Sequence, residues 1–214
     1  MWAAWRDFWL ACWRQNWPLF LFVLAVFVLG IGFGALGVDN LSSGQFEELK
    51  KYVDAFVRQV GQLSIDSGSA VRSKIYGDIL MIVLLYLFGL SFVGILFVLG
   101  LVFIRGFILG FAVVFLARGM ALNGFLLVAV SILPHNLLYL PALLAGGTAA
   151  LSFALLSVRR YYNTRIRLFN CLVGYTLIML TVMIVILSAG LVEVYFSPWL
   201  TRMTAGLIET LALR

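Results

Sequence analysis

The sequence predicts an all-α integral membrane protein, and three observations carry that prediction. Of its 214 residues, 64% are hydrophobic and 11% are charged, where a soluble domain has about a quarter charged. The mean hydropathy is +1.08. The apolar residues fall into runs that approach or exceed the roughly 20 residues a helix needs to cross a bilayer, with short polar stretches between them. The length allows one compact membrane domain. A net charge of +6 reads as a membrane signature, because the basic residues flank apolar runs and form no stripe suited to nucleic acid.

The elements follow in chain order. Residues 1–16 carry Trp2, Trp5, Trp9 and Trp13 at helical spacing with Arg6 and Arg14 among them. That pattern predicts an interfacial helix, with indoles at headgroup depth and arginines on anionic lipid. Pro18 then suits the first turn of a first crossing over 17–38, which is read as an anchor that stays, since no small-x-small cleavage site follows it. Gly30 and Gly34 near its end form a GxxxG pair, a pattern that lets helices approach closely.

Residues 39–78 form the one sizeable polar loop, and within it Ser43 is the expected N-cap of an amphipathic helix. Phe46, Leu49, Tyr52, Val53, Phe56, Val57 and Val60 make its apolar stripe,. A second crossing is expected over 79–104, ending at Arg105. A third is expected over 106–133, broken near Arg118 and containing a second glycine pair, Gly106 and Gly110. Pro134, His135 and Asn136 read as the tight turn into a fourth crossing over 137–158, with Pro141 in its first turn. A fifth crossing is expected over 168–192, followed by a tail over 193–214.

Orientation follows from the arginines. Arg159, Arg160, Arg165 and Arg167 lie in one short loop without an acid, which marks it cytoplasmic and agrees with Arg6 and Arg14. The N-terminus is then inside, the 39–78 loop outside and the C-terminus outside.

Few residues invite chemistry. His135 is the one histidine, and Ser131 is near it, but no acid lies in the neighbouring apolar runs to orient a nucleophile–base pair. Cys12 and Cys171 belong to no ligand cluster, and a metal site wants a second histidine or acids beside the first. No catalytic residue, metal or cofactor is expected. Arg118 and Asn123 are the intramembrane polar anomalies. Arg118 either marks a functional, watered cleft or snorkels from a helix break.

Three stretches, "FVLGIGFGALGVDNL", "RGFILGF" and "GFLLVAVSILPHNLLYLPALL", resemble the stage II sporulation protein M family over most of the chain. The Leu133-Pro134-His135-Asn136 stretch is a specific part of that resemblance. The resemblance implies a non-enzymatic membrane scaffold of the engulfment machinery in endospore-forming bacteria, localising the peptidoglycan hydrolases called stage II sporulation proteins D and P at the septal membrane. The loop helix is the expected partner surface, through Phe46, Lys50, Lys51, Tyr52, Phe56 and Val60, either by direct contact or by lying on lipid and orienting Lys50 and Lys51. The glycine pairs motivate a homodimer. The competing expectation is a permease-like subunit of a transporter working with a separate ATPase, for which Arg118 and the arginine loop would serve.

Overall fold

The computed structural model describes the backbone of residues 2–62, 67–119, 121–162 and 171–191, and side chains over 16–53, 75–119, 136–159 and 171–191, with Ala55, Arg72 and Ser73 besides. Among the described residues there are helices and connections and no strands. The helices are α1 (Trp2–Asp39), α2 (Ser43–Gln62), α3 (Ser67–Gly89), α4 (Gly94–Gly119) and α5 (Ala121–Tyr162), with α6 (Cys171–Leu191) after them. Four stretches are long and apolar enough to cross a membrane: Asn16–Asp39, Gly94–Gly119, Asn136–Arg159 and Cys171–Leu191. The apolar part of α3, Ile75–Gly89, is shorter.

Several expected boundaries move. The first sixteen residues are no separate helix, because α1 runs unbroken from Trp2 and holds Pro18 in its interior. Proline there removes one backbone bond without ending the helix. The placement of the N-terminal tryptophan side chains lies outside the described residues. The apolar run expected as one crossing over 79–104 turns a corner at residues 90–93 instead.

That corner is closed by its own backbone. Leu90 N–H donates to the Leu87 carbonyl at 3.2 Å, Ser91 N–H to Phe88 at 3.1 Å and Gly94 N–H to Ser91 at 3.1 Å, satisfying carbonyls a helix end leaves open. A methyl group at Gly94 would overlap the Phe88 carbonyl, so the chain reverses where a glycine permits it.

Two consequences follow. Arg105, expected at a helix end, sits within α4. The third crossing is α4 itself, and the interruption expected near Arg118 separates α4 from α5 rather than kinking one crossing. The turn expected at Pro134, His135 and Asn136 is absent: α5 is helical from Ala121 to Tyr162, through Pro134 and Pro141. The reversal is already made before α5 begins, since α5 opposes α4, and neighbouring helices tolerate proline within a membrane helix. The side chains of Asn123, Pro134 and His135 lie outside the described residues. Asn136 is partly buried and Pro141 exposed on α5.

The helix directions alternate along the chain. Gly30 lies against Phe103, Gly34 against Phe107 and Asp39 against Arg118, so α1 and α4 are parallel. Asn16 accepts a 3.0 Å hydrogen bond from Ser152, while Val23 clusters with Leu144, so α5 opposes them. The α3 helix runs with α5, and α6 runs against it: Met81 and Ile82 share a cluster with Tyr139 and Ile186, while Leu85 shares one with Ala150 and Met179.

The central element is α5. Of its apolar window 56% is buried, against 22% for the other three long spans. Two adjacent glycines show why it can be enclosed from both sides. Gly147 faces Val23 of α1 and Val102 of α4, and Gly146 faces Leu85 of α3 and Val182 of α6. One end of the bundle carries the 90–93 corner, and the opposite end carries α2.

Candidate functional site

Among helices α1 to α5, the densest contact joins α1 to α4. Gly30 and Gly34 place bare backbone against the Phe103 and Phe107 carbonyls, and Gly106 and Gly110 do the same against Phe27 and Ile31. A methyl group at any of the four would overlap a carbonyl oxygen, so only glycine lets the axes come this close. Lipid tails are as apolar as leucine side chains, and close backbone packing is therefore one of the few forces that hold helices together in a bilayer. The two GxxxG pairs thus meet each other within the chain. They are taken up there, and the argument they offered for a homodimer goes with them.

The seam ends in a polar latch. Arg118, in the last turn of α4, forms an ion pair with Asp39 at the end of α1, both about half exposed. Two parallel helices bring their negative C-terminal ends side by side, and a cation there opposes that repulsion. Arg118 thus sits at a helix end, with a carboxylate as its partner.

Beyond the latch, α1 is closed by Asn40, whose backbone and side-chain N–H groups both donate to the Leu36 carbonyl, at 3.2 Å and 3.0 Å. The next helix starts at once. Gln45 N–H donates to Ser42 Oγ at 3.4 Å, and Ser42 N–H donates back to Gln45 Oε1 at 3.1 Å. This capping box makes Ser42 the N-cap in place of the expected Ser43.

The α2 helix is docked by Phe46, whose ring lies 5.0 Å from Phe115 of α4. Phe115 in turn ends a phenyl ladder with Phe111 and Phe107. The expected partner stripe therefore divides in two. Phe46, Leu49, Lys50 and Val53 are partly buried, while Glu48, Lys51, Tyr52 and Ala55 form the outward stripe; Tyr52 is 79% exposed. Phe56 and Val60 lie on α2, and their side chains are outside the described residues.

A model of the family described as stage II sporulation protein M matches residues 23–198. The chain belongs to the stage II sporulation protein M family. It is a membrane protein of that sporulation family. Neither the curated proteins nor the solved structures hold a match to it. The matched region of this family member starts at Val23 on α1 and takes in the glycine seam, the latch, α2, the corner and the polar interior.

That interior was not visible in the sequence. Asp78, grouped there with the polar loop, is 2% exposed on α3. Arg105 lays its guanidinium 5.2 Å from the centre of the Tyr139 ring, and Tyr139 is itself 2% exposed. One signal was available. Asp78 precedes Met81, Ile82 and Leu85 at helical spacing, which puts it on the face that those residues bury.

Nearer the corner, Tyr175 stacks between Phe153 and Tyr86, with ring centres 4.7 Å and 5.1 Å away. Its hydroxyl donates to the Tyr86 carbonyl at 3.1 Å, one of the last four that α3 leaves open. Tyr86 and Thr176 share a further hydrogen bond of 3.0 Å. Cys171 is partly buried beside this cluster. Among the described residues, no group of three His, Cys, Asp or Glu side chains is arranged to hold a metal.

Proposed function

We propose that this family member is a non-enzymatic membrane scaffold that localises peptidoglycan hydrolases, the stage II sporulation proteins D and P, at the septal membrane during engulfment. One observation carries the reading. The α2 helix is held at one end of the bundle by Phe46 on Phe115, leaving Glu48, Lys51, Tyr52 and Ala55 facing outward. An exposed tyrosine between two charges of opposite sign is the kind of anchor protein partners bury.

The proposed orientation has physical support. Arg6, Arg14 and the Arg159–Arg167 stretch all attach to the corner end of the bundle by chain position, and basic loops favour the cytoplasm. The α2 end then faces the compartment that holds peptidoglycan.

A permease-like subunit working with a separate ATPase is the second reading. Buried Asp78 and mid-helix Arg105 favour it, since ionisable side chains inside membrane bundles often line transport paths.

Copurification from sporulating cells separates the two readings. The intact protein should bring down hydrolases D and P, and Tyr52→Asp with Lys51→Glu should lose them at equal membrane abundance. Failure of both hydrolases to copurify with the intact protein overturns the scaffold, and recovery of an ATPase in their place supports the permease.

A further inference from the structure

Arg105 stands eleven residues into a 26-residue apolar helix, where a lone cation is costly. The face of Tyr139 offsets part of that cost through a cation–π contact,. A partly buried guanidinium at this depth calls for a carboxylate as well. Among the described residues, Asp78 is the one acid inside the bundle; Asp39 lies at a helix end, and Glu47 and Glu48 are on α2.

Asp78 is also at the right level. Met81 and Ile82, one turn along α3, pack in the same cluster as Tyr139, and Arg105 lies over that same ring. Asn136 is one turn from Tyr139 on α5 and partly buried. Asp78, Asn136 and Tyr139 are all engaged by neighbours, as a polar group at membrane depth requires.

We propose that Asp78 and Arg105 form a charge couple that acts through the low-dielectric interior beside Tyr139 and fixes α3 in the bundle. The couple needs no direct contact, because opposite charges interact over longer distances when water is excluded. It explains how α3, whose apolar part is shorter than any of the four long apolar spans, holds its place. It also ties the two sides of the bundle together, since Asp78 is on α3, Tyr139 on α5 and Arg105 on α4. The α2 platform hangs between α1 and α3, so the couple steadies one of its two attachments. The proposal does not depend on what α2 binds.

The test is a charge cycle on the full chain in native membranes. Met81→Cys, in a background with Cys12→Ser and Cys171→Ser, reports α3 docking through its labelling rate by a membrane-permeant maleimide, because Met81 is buried. Asp78→Asn and Arg105→Gln should each raise the labelling rate by about tenfold or more, since each removes the opposite charge on which the couple relies. The double variant, and the exchanged pair Asp78→Arg with Arg105→Asp, should return most of the way to the starting rate. If the double variant instead shows the product of the two single effects, or if neither single variant changes labelling, the couple does not exist. The cycle remains readable when a single variant fails to accumulate, because the two compensated variants must then be the ones that do.

Discussion

The two sides of α5 hold their helices by different means. On one side, α1 and α4 run parallel and meet backbone to backbone through four glycines, with an ion pair between Asp39 and Arg118 at the end. On the other, α3 and α6 meet through stacked tyrosines and a tyrosine hydroxyl, Phe153 of α5 stacks on Tyr175 of α6, and α3 carries a buried carboxylate. The difference shows two solutions to one problem. Water supplies no hydrophobic drive between helices already in lipid, so affinity must come from close packing or from polar contacts. The glycine side fixes distance, and the polar side fixes register.

The largest expected effect breaks the glycine side. Gly34→Ile forces a side chain into the Phe107 carbonyl and should lower stability by about 3 kcal/mol or more, as overpacking against an unyielding neighbour does. The control is two residues away. Gly32 has nothing near its open face, so Gly32→Ile should change stability by less than about 0.5 kcal/mol, as surface substitutions usually do. Unfolding in detergent, followed by circular dichroism, reads both, and equal losses would erase the distinction.

A smaller loss is expected on the polar side. Tyr175→Phe keeps the stacked ring and removes the hydrogen bond to Tyr86, which should cost about 1 kcal/mol; the same unfolding measurement applies. Phe46→Ala should act locally, loosening α2 by about 1 kcal/mol through loss of an aromatic pair. Hydrogen exchange should then accelerate over residues 43–62 and stay unchanged in α4. The smallest effect is Asp39→Asn, about 0.5 kcal/mol for an ion pair half open to solvent. Its size should shrink as salt is added, which thermal scans at two ionic strengths can read.

What was legible in the sequence was chemistry that acts locally. The apolar runs announced membrane helices, and the glycine spacing announced faces built for close approach. Which faces met was hidden, because GxxxG looks the same whether its partner lies in another chain or some 76 positions along this one, as Gly106 does from Gly30.

Two turns were misplaced for related reasons. The 79–104 run has the length of one crossing, and Ser91 is a faint interruption, so the corner beside Gly94 passed for helix. Pro134, His135 and Asn136 carry strong turn signals in water, yet a helix enclosed by other helices continues through them. Arg105 looked like a helix end because cations usually sit at membrane surfaces, and Asp78 looked like the edge of a loop. Arg105 sits within the bundle because the corner falls a dozen residues earlier than expected, which shifts the depth of every residue after it. Asp78 is buried because it shares the face of α3 that carries Met81, Ile82 and Leu85.

The central claim is that the glycine seam joins helices of one chain, and cysteine cross-linking in native membranes tests it most directly. Phe33 and Phe103 flank the seam with ring centres 5.9 Å apart. In a background with Cys12→Ser and Cys171→Ser, a chain carrying both Phe33→Cys and Phe103→Cys should cross-link within the monomer. Two differently tagged chains carrying one substitution each should give no dimer when co-expressed. A cross-linked dimer from the mixed chains, with no internal cross-link in the double variant, would place the seam between subunits and contradict the account.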